Sequence, residues 1–89
     1  MPTIHLFVKG KVQGVFYRAT AKKIADKLKL TGWIKNTKNE DVEAEVTGDE
    51  EQLKQFINWC KQGPEKAKVE DVIVTEEAGK FFTDFEIVR

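Results

Sequence analysis

The sequence has few of the residues that usually build metal and disulfide sites. Its 89 residues include one cysteine, Cys60, and one histidine, His5. A single cysteine can form neither an intramolecular disulfide nor a multi-thiolate metal site. Lysine plus arginine equals aspartate plus glutamate at 15 each. A dedicated nucleic-acid binder usually has a strongly basic face, so we expect no nucleic-acid partner.

Long apolar runs are missing as well. No stretch approaches the roughly 20 apolar residues that span a bilayer, and the N-terminus lacks a basic segment followed by an apolar one. We therefore expect no membrane association, and the shortage of cysteine favours a cytoplasmic location. The length predicts one domain over residues 1–89, and nothing in the sequence demands more than a monomer.

The hydrophobic pattern changes its period along the first half of the chain. Residues 3–9 alternate between aliphatic and other side chains, which predicts a strand. From 16 to 30 the apolar residues fall at helical spacing, and Gly32 suits the end of that helix because it accepts a positive φ. Residues 32–36 and 42–46 predict two strands of a hairpin, joined by about five polar residues.

The second half repeats this pattern. Asp49 and Gln52 have the spacing of a capping box at the start of a second helix, which Gly63-Pro64 would end. A further strand follows from Val69, and residues 81–89 predict a last one. The apolar residues between the cap and Gly63 again recur at helical spacing, which predicts one buried face.

This order of elements predicts an α+β fold of the ferredoxin-like type. Strand, helix, strand, strand, helix, strand is the split βαβ (βαββαβ) arrangement, here with an extra terminal strand. Two amphipathic helices on one face of an antiparallel sheet bury both sets of apolar side chains. In such a sheet we expect the second strand to lie at an edge.

The stretch GKVQGVFYR, residues 10–18, joins the predicted first strand to the first helix. A helix N-terminus offers unpaired N–H groups and the positive end of its dipole. Gly10 and Gly14 would let the backbone turn several N–H groups into one concave spot, which suits phosphate, and Arg18 would add a forked donor. A tight turn beside a solvated arginine is the alternative. Neither the Walker pattern nor G-x-G-x-x-G is present, which disfavours a nucleotide.

A second polar group could face this loop from the end of the second predicted strand. Asn36 offers both a donor and an acceptor, so it can hold a water but cannot act as a strong base. The alternative is a turn residue beside Thr37. His5 has no placed serine or cysteine partner, which gives little support for a catalytic triad. Cys60 lies on the apolar face of the second helix and predicts core packing.

Two segments of the sequence resemble the signatures of the acylphosphatase family. GKVQGVFYR resembles the first signature, and GWIKNTKNEDVEAEVTG, residues 32–48, resembles the second. Their spacing and the length of the chain also fit the family. The stretches GPEKAKVEDVIV and FTDFEIVR look like its closing strands. The resemblance therefore covers nearly the whole chain.

The resemblance implies hydrolysis of acyl phosphates to carboxylate and phosphate, with no metal and no cofactor. Inorganic phosphate is then a product or inhibitor. The family's catalytic arginine and asparagine map onto Arg18 and Asn36. Its phosphate-binding loop maps onto Gln13, Gly14, Val15, Phe16, Tyr17 and Arg18.

Two positions depart from the family pattern. Glu40 stands in the hairpin turn where the family usually has glycine, and a positive φ there would cost about 1 kcal/mol unless Asn39 takes that conformation. Tyr17 replaces the usual phenylalanine and brings a hydroxyl that needs a partner. Two other functions remain open: a non-catalytic module that binds phosphate or carbamoyl phosphate, and a plain ferredoxin-like interaction domain.

Overall fold

The computed structural model describes all 89 residues. Its seven elements are β1 (Thr3–Lys11), α1 (Tyr17–Lys27), β2 (Thr31–Asn36), β3 (Val42–Thr47), α2 (Glu50–Gln62), β4 (Lys68–Glu77) and β5 (Phe85–Val88). The strands form one sheet in the order β4-β1-β3-β2-β5. The predicted α+β ferredoxin-like arrangement, with its extra strand, is confirmed.

The expectation that the second strand lies at an edge is wrong. β5 pairs with β2 in parallel, with Ile34 opposite Ile87, while the other strand pairs are antiparallel. The outer edge of β2 carries backbone donors and acceptors that need partners, and β5 supplies them. The real edges of the sheet are β4 and β5. This pairing brings the end of the chain beside Asn36.

The core lies between the helices and one face of the sheet. Alternate residues of the two central strands point to that face, including Leu6 and Val8 of β1 and Val46 of β3, all fully buried. From α2, Phe56 packs edge-on against Phe85 of β5, with ring centroids 6.0 Å apart. Burying several such side chains, at roughly 1.5–3 kcal/mol each, opposes the chain entropy lost on folding.

The first helix ends earlier than the periodicity predicts. α1 stops at Lys27, and the positive φ that follows belongs to Lys29, at 59°. Gly32 is instead part of β2, with φ 141°, where a Cβ would overlap the carbonyl oxygen of Glu45. Its role as a helix terminus is therefore wrong. The sheet needs a glycine there because two backbones approach closely.

The second helix has the predicted ends but not the predicted cap. Asp49 is the N-cap residue, yet its side chain forms no capping hydrogen bond. The acidic residues Glu50 and Glu51 in the first turn still favour the positive end of the helix dipole. At the other end, the N–H of Gly63 donates to the carbonyl of Trp59 over 2.7 Å. Neither helix is long and apolar enough to cross a membrane.

The last strand is shorter than expected. It begins at Phe85, whereas the sequence predicts a strand from residue 81. Phe81 is 88% exposed and lies outside every strand. The side chain that anchors this segment is Phe85, which is buried in the core.

Candidate active site

A cavity of about 250 Å³ opens where the β1–α1 loop meets the ends of β2 and β5. Nine residues line it: Val12, Gly14, Phe16, Tyr17, Arg18, Ala19, Asn36, Ile87 and Arg89. The cavity thus brings Arg18 of α1 together with Asn36 of β2 and with part of the predicted loop. Gln13 and Val15, also predicted, do not line it.

The loop before α1 presents free backbone donors. The N–H groups of Gly14, Val15 and Phe16 donate to no carbonyl of the chain, and the hydrogen bond that opens the helix runs from Thr20 N–H to Phe16 O over 3.0 Å. Gly14 has φ 72° and Phe16 has φ 63°, so two residues of this short loop have a positive φ. Unpaired N–H groups at a helix N-terminus attract anions. The loop therefore has the chemistry of an anion site.

Of the two glycines expected to shape this loop, only Gly14 does so. Gly10 lies within β1, beside a shift in the β1–β4 register. A Cβ there would overlap the carbonyl oxygen of Lys68. The assignment of Gly10 to the anion loop is wrong because the strand runs on to Lys11. By contrast, a Cβ at Gly14 would meet open space, and its positive φ alone explains the glycine.

The side chain of Gln13 points away from the cavity and towards the β2–β3 turn. Its amide nitrogen donates to the carbonyl of Thr37 over 2.9 Å and to that of Asp41 over 2.8 Å. A primary amide has two N–H donors, so both are in use. Gln13 therefore fastens the loop to the turn and leaves only its backbone for a ligand.

Two neighbouring side chains of the loop lie in the core. Val15 is buried, and so is Tyr17, whose hydroxyl donates to the carbonyl of Cys60 over 2.7 Å. This bond supplies the partner that the tyrosine needs. Burial raises the pKa of Tyr17 far above its ordinary value. Burial likewise raises the pKa of the Cys60 thiol, to about 12, against the opposing effect of the nearby Tyr17 hydroxyl. Both groups are therefore uncharged, and the prediction that Cys60 packs in the core is confirmed.

Arg18 extends from the first turn of α1 with most of its donors free. Its guanidinium makes one long contact, 3.5 Å from Nη1 to the carbonyl oxygen of Val88. A guanidinium is a planar fork whose remaining N–H groups fit the oxygens of a phosphate. The contact with Val88 leaves the other N–H groups of the guanidinium free.

Asn36 reaches the cavity from the last position of β2. Its Oδ1 is buried and accepts no hydrogen bond from the chain. A buried acceptor without a partner is unfavourable, so this oxygen suits a donor that enters the cavity, such as water. The predicted ability of Asn36 to hold a water thus fits its surroundings.

The turn after Asn36 is well bonded although it is strained at one residue. The Thr37 hydroxyl accepts from the N–H groups of Asn39 and Asp41, each over 3.2 Å. Glu40 itself takes the left-handed conformation, with φ 67°. The alternative that Asn39 takes it is therefore wrong. The strain at Glu40 leaves the turn closed, with Thr37 N–H also bonded to Asp41 O over 2.9 Å.

Two residues of the cavity wall were missed by sequence reasoning. Ile87 and Arg89 line the cavity from the end of the chain. Phe85, Ile87 and Arg89 share the period of two that marks one side of a strand, which was the available signal. Local periodicity does not say which strand pairs with this one, so it does not place either residue at the cavity.

The remaining candidates lie elsewhere. Nε2 of His5 is 2.7 Å from Oε2 of Glu43, on the face of the sheet that the helices do not cover. No group of three or more histidine, cysteine, aspartate or glutamate side chains is placed to hold a metal ion.

Comparison with known proteins gives the family. The family model described as Acylphosphatase matches residues 4–87. An acylphosphatase of Syntrophus aciditrophicus is 44% identical over 90 residues, covering 99% of this chain and 93% of that protein. One of Marinobacter nauticus is 48% identical over 82 residues, covering 91% of this chain and 89% of its own. The crystal structure of acylphosphatase from Bacillus subtilis superimposes with a TM-score of 0.97 at 38% identity, with complete coverage of both chains. The chain therefore belongs to the acylphosphatase family.

Proposed function

We propose that the protein hydrolyses the carboxyl–phosphate bond of acyl phosphates and releases a carboxylate and inorganic phosphate. The observation that carries this proposal is the meeting of Arg18, Asn36 and the free N–H groups of the loop in one small cavity. The relatives named acylphosphatase support it, since they match almost the whole chain. The residue roles that follow belong to the same proposal.

The phosphoryl group binds at the loop. Backbone N–H groups between residues 13 and 18 donate to its oxygens, and Arg18 adds two donors from one side. Hydrogen bonds to charged groups contribute roughly 1.5–3 kcal/mol each. Donors that are already aimed at the developing charge need no reorganisation during the reaction, which makes them effective in the transition state.

The attacking water binds at Asn36. Its hydrogen is donated to Oδ1, which turns an oxygen lone pair towards phosphorus on the side opposite the acyl oxygen. The water oxygen bonds to phosphorus as the bond from phosphorus to the acyl oxygen breaks. The carboxylate leaves with the electron pair, and the water proton passes to a phosphate oxygen. No strong base is needed because the transition state is loose and a carboxylate is a good leaving group.

The proposal covers the setting of the reaction as well. The catalytic unit is one domain over residues 1–89, acting as a cytoplasmic monomer with neither metal nor cofactor. Its partners are a small-molecule acyl phosphate and inorganic phosphate, which is product and inhibitor. Nucleic acid and membrane have no part in it. The balanced charge of the chain supports the exclusion of nucleic acid.

The direct test is hydrolysis of benzoyl phosphate by the purified protein in EDTA. We expect phosphate release that inorganic phosphate inhibits competitively. Loss of activity on chelation would contradict the metal-free mechanism. Protection against heat by phosphate without turnover would indicate an anion-binding module. If there is neither turnover of benzoyl phosphate nor protection against heat by phosphate, the protein is an interaction domain. A bound ligand at 100 times its Kd would add about 2.7 kcal/mol of stability, so its binding would be detected.

A further inference from the structure

Phe16 is the one large exposed apolar side chain of the cavity wall. It is 77% exposed and shares the cavity with Arg18 and Asn36. The side chains before and after it, Val15 and Tyr17, are buried. The chain therefore turns this ring outwards at the place where a substrate would bind.

The fold gives no reason for a phenylalanine at this position. The backbone of Phe16 is left-handed, with φ 63° and ψ 23°, a conformation that costs free energy for any residue with a Cβ. Glycine would remove this cost, and an exposed ring regains little of it through packing. Strained residues with exposed side chains occur at functional sites.

The rest of the wall divides the cavity into two kinds of surface. The loop N–H groups and Arg18 form the end suited to the phosphoryl group. Phe16 and the half-buried Ile87 give the remainder an apolar character. In an acyl phosphate the organic group is attached to the phosphoryl group through the acyl oxygen. It therefore extends away from the loop N–H groups, where Phe16 and Ile87 offer apolar side chains.

We propose that Phe16 determines which acyl group is accepted, by packing its ring against an aryl or extended alkyl acyl group. Ile87 supplies the opposing apolar contact. The enzyme then prefers aryl acyl phosphates over acetyl phosphate, whose single methyl group cannot cover the ring. Aromatic pairs in offset or edge-on contact gain affinity beyond the area that they bury. This inference rests on the proposed function, because it assigns the part of the substrate that the hydrolytic site leaves free.

The test compares kcat/KM for benzoyl phosphate and acetyl phosphate in the wild type and in Phe16→Asn. Asparagine tolerates a positive φ, so the loop keeps its conformation. We expect the ratio of kcat/KM for benzoyl phosphate to that for acetyl phosphate to fall about threefold to tenfold in this variant. In Phe16→Tyr, which keeps the ring, the ratio should stay close to that of the wild type. Phe81→Asn is the matched control, since Phe81 is 88% exposed and lines a different cavity, together with Met1 and Lys29.

Each outcome separates this inference from the proposed function. If the wild type hydrolyses neither substrate, the proposed function itself fails. If it hydrolyses both and the ratio is the same in Phe16→Asn, only the role of Phe16 is overturned. Arg89 also lines the cavity. A wild-type preference for succinyl phosphate over benzoyl phosphate would assign the acyl group to Arg89 and would overturn the role of Phe16.

A binding measurement gives a readout that does not depend on turnover. Phenylphosphonate and methylphosphonate carry an anionic group like phosphate on an aryl or a methyl substituent, and neither is hydrolysed. By calorimetry we expect the wild type to bind the phenyl compound more tightly and Phe16→Asn to lose most of that difference. Equal affinity of the wild type for the two compounds would overturn the inference.

Discussion

The side-chain amide of Gln13 donates a hydrogen bond to the carbonyl oxygen of Asp41, 2.8 Å away. Its second donor binds the carbonyl of Thr37. Thr37 directly follows Asn36 in the chain. The two hydrogen bonds of this side chain thus fasten the loop proposed to hold the phosphoryl group to the turn proposed to place the water.

Replacing Gln13 by leucine should separate these two parts of the site. Leucine keeps a similar volume but leaves the Thr37 carbonyl without its donor, while the Asp41 carbonyl keeps only the hydrogen bond from Thr37 N–H. The lost hydrogen bonds should cost about 1–3 kcal/mol of stability. Because Asn36 then shifts relative to the loop, kcat should fall by about tenfold or more. KM should change much less, since the loop N–H groups and Arg18 remain. Steady-state kinetics and urea denaturation measure the two effects.

Gln55→Leu is the matched control for this variant, because Gln55 is exposed on α2. It should change neither kcat nor KM. Normal turnover in Gln13→Leu would show that the hydrogen bonds to Thr37 and Asp41 have no part in positioning.

Alanine at each of the two proposed catalytic residues should change different kinetic parameters. Arg18→Ala removes a phosphate-binding group, so KM should rise and kcat/KM should fall by about 10²–10³. Competitive inhibition by inorganic phosphate should weaken in parallel. An Arg18→Ala enzyme that kept its affinity for phosphate would contradict the role of this guanidinium.

Asn36→Ala should act on the chemical step. The loop and Arg18 still bind substrate, so KM and the phosphate inhibition constant should stay close to those of the wild type. With the water no longer held in line, kcat should fall by roughly 10². Asn58→Ala, at an exposed position of α2, is the control and should be fully active. Wild-type turnover in Asn36→Ala would remove this residue from the mechanism.

Glycine at position 40 should stabilise the protein. Glu40 has φ 67° and is exposed. A left-handed conformation costs a residue with a Cβ roughly 1–2 kcal/mol, and glycine removes this cost. The greater entropy of glycine in the unfolded chain offsets part of the gain. Glu40→Gly should therefore raise the free energy of unfolding by about 0.5–1 kcal/mol. Urea denaturation measures it, and a lower value than that of the wild type would contradict the strain.

Glu45 should make the free energy of unfolding depend on pH in the acidic range. Burial works to raise its pKa, but hydrogen bonds from Lys80 and Trp33, with the Lys80 charge, outweigh this and hold the pKa below its usual range. A lowered pKa in the folded state stabilises the protein above the unfolded value, about 4.3, and this contribution disappears as the pH falls through the folded pKa. Glu45→Gln should therefore be less stable than the wild type at pH 7.

The difference between Glu45→Gln and the wild type should narrow as the pH falls from 5 towards 2. Denaturation with urea across this range measures it. Glu65→Gln, at an exposed loop position, should differ little from the wild type at any pH. A gap between Glu45→Gln and the wild type that stays constant with pH would contradict the assigned pKa direction.

The local elements could be predicted because each depends on residues close in the chain. In α1, Tyr17, Ala21 and Ala25 recur at helical spacing and are all buried. In β3, Val42, Ala44 and Val46 alternate and face the core in the same way. These patterns indicate which side of each helix or strand is buried. The fold follows because the apolar sides of the helices and of the sheet pack against one another.

Pairings between distant segments could not be predicted in this way. Gly10 and Gly32 each allow a neighbouring strand to come close, and that neighbour is known only once the sheet is assembled. The parallel pairing of β5 with β2 is equally invisible in local periodicity. The lysine at position 29 takes a positive φ that a glycine would be expected to occupy. Here tertiary contacts decide against local preference.

The candidate site, too, could be predicted only in part from the sequence. The composition of the loop and the resemblance to a family pointed to Arg18 and Asn36, and both line the cavity. The family pattern names a glutamine at position 13 but not where its side chain points. That direction is set by carbonyl groups far along the chain, at Thr37 and Asp41.

The pairing of β5 with β2 has a consequence for the newly made protein. Arg18 and Asn36 are synthesised well before Ile87 and Arg89 of the same cavity. At roughly 5–20 residues per second, several seconds separate Asn36 from Arg89. During that interval the growing chain carries the groups that would grip phosphate without the wall that completes their cavity. The cavity is therefore complete only after residues 87–89 have been added.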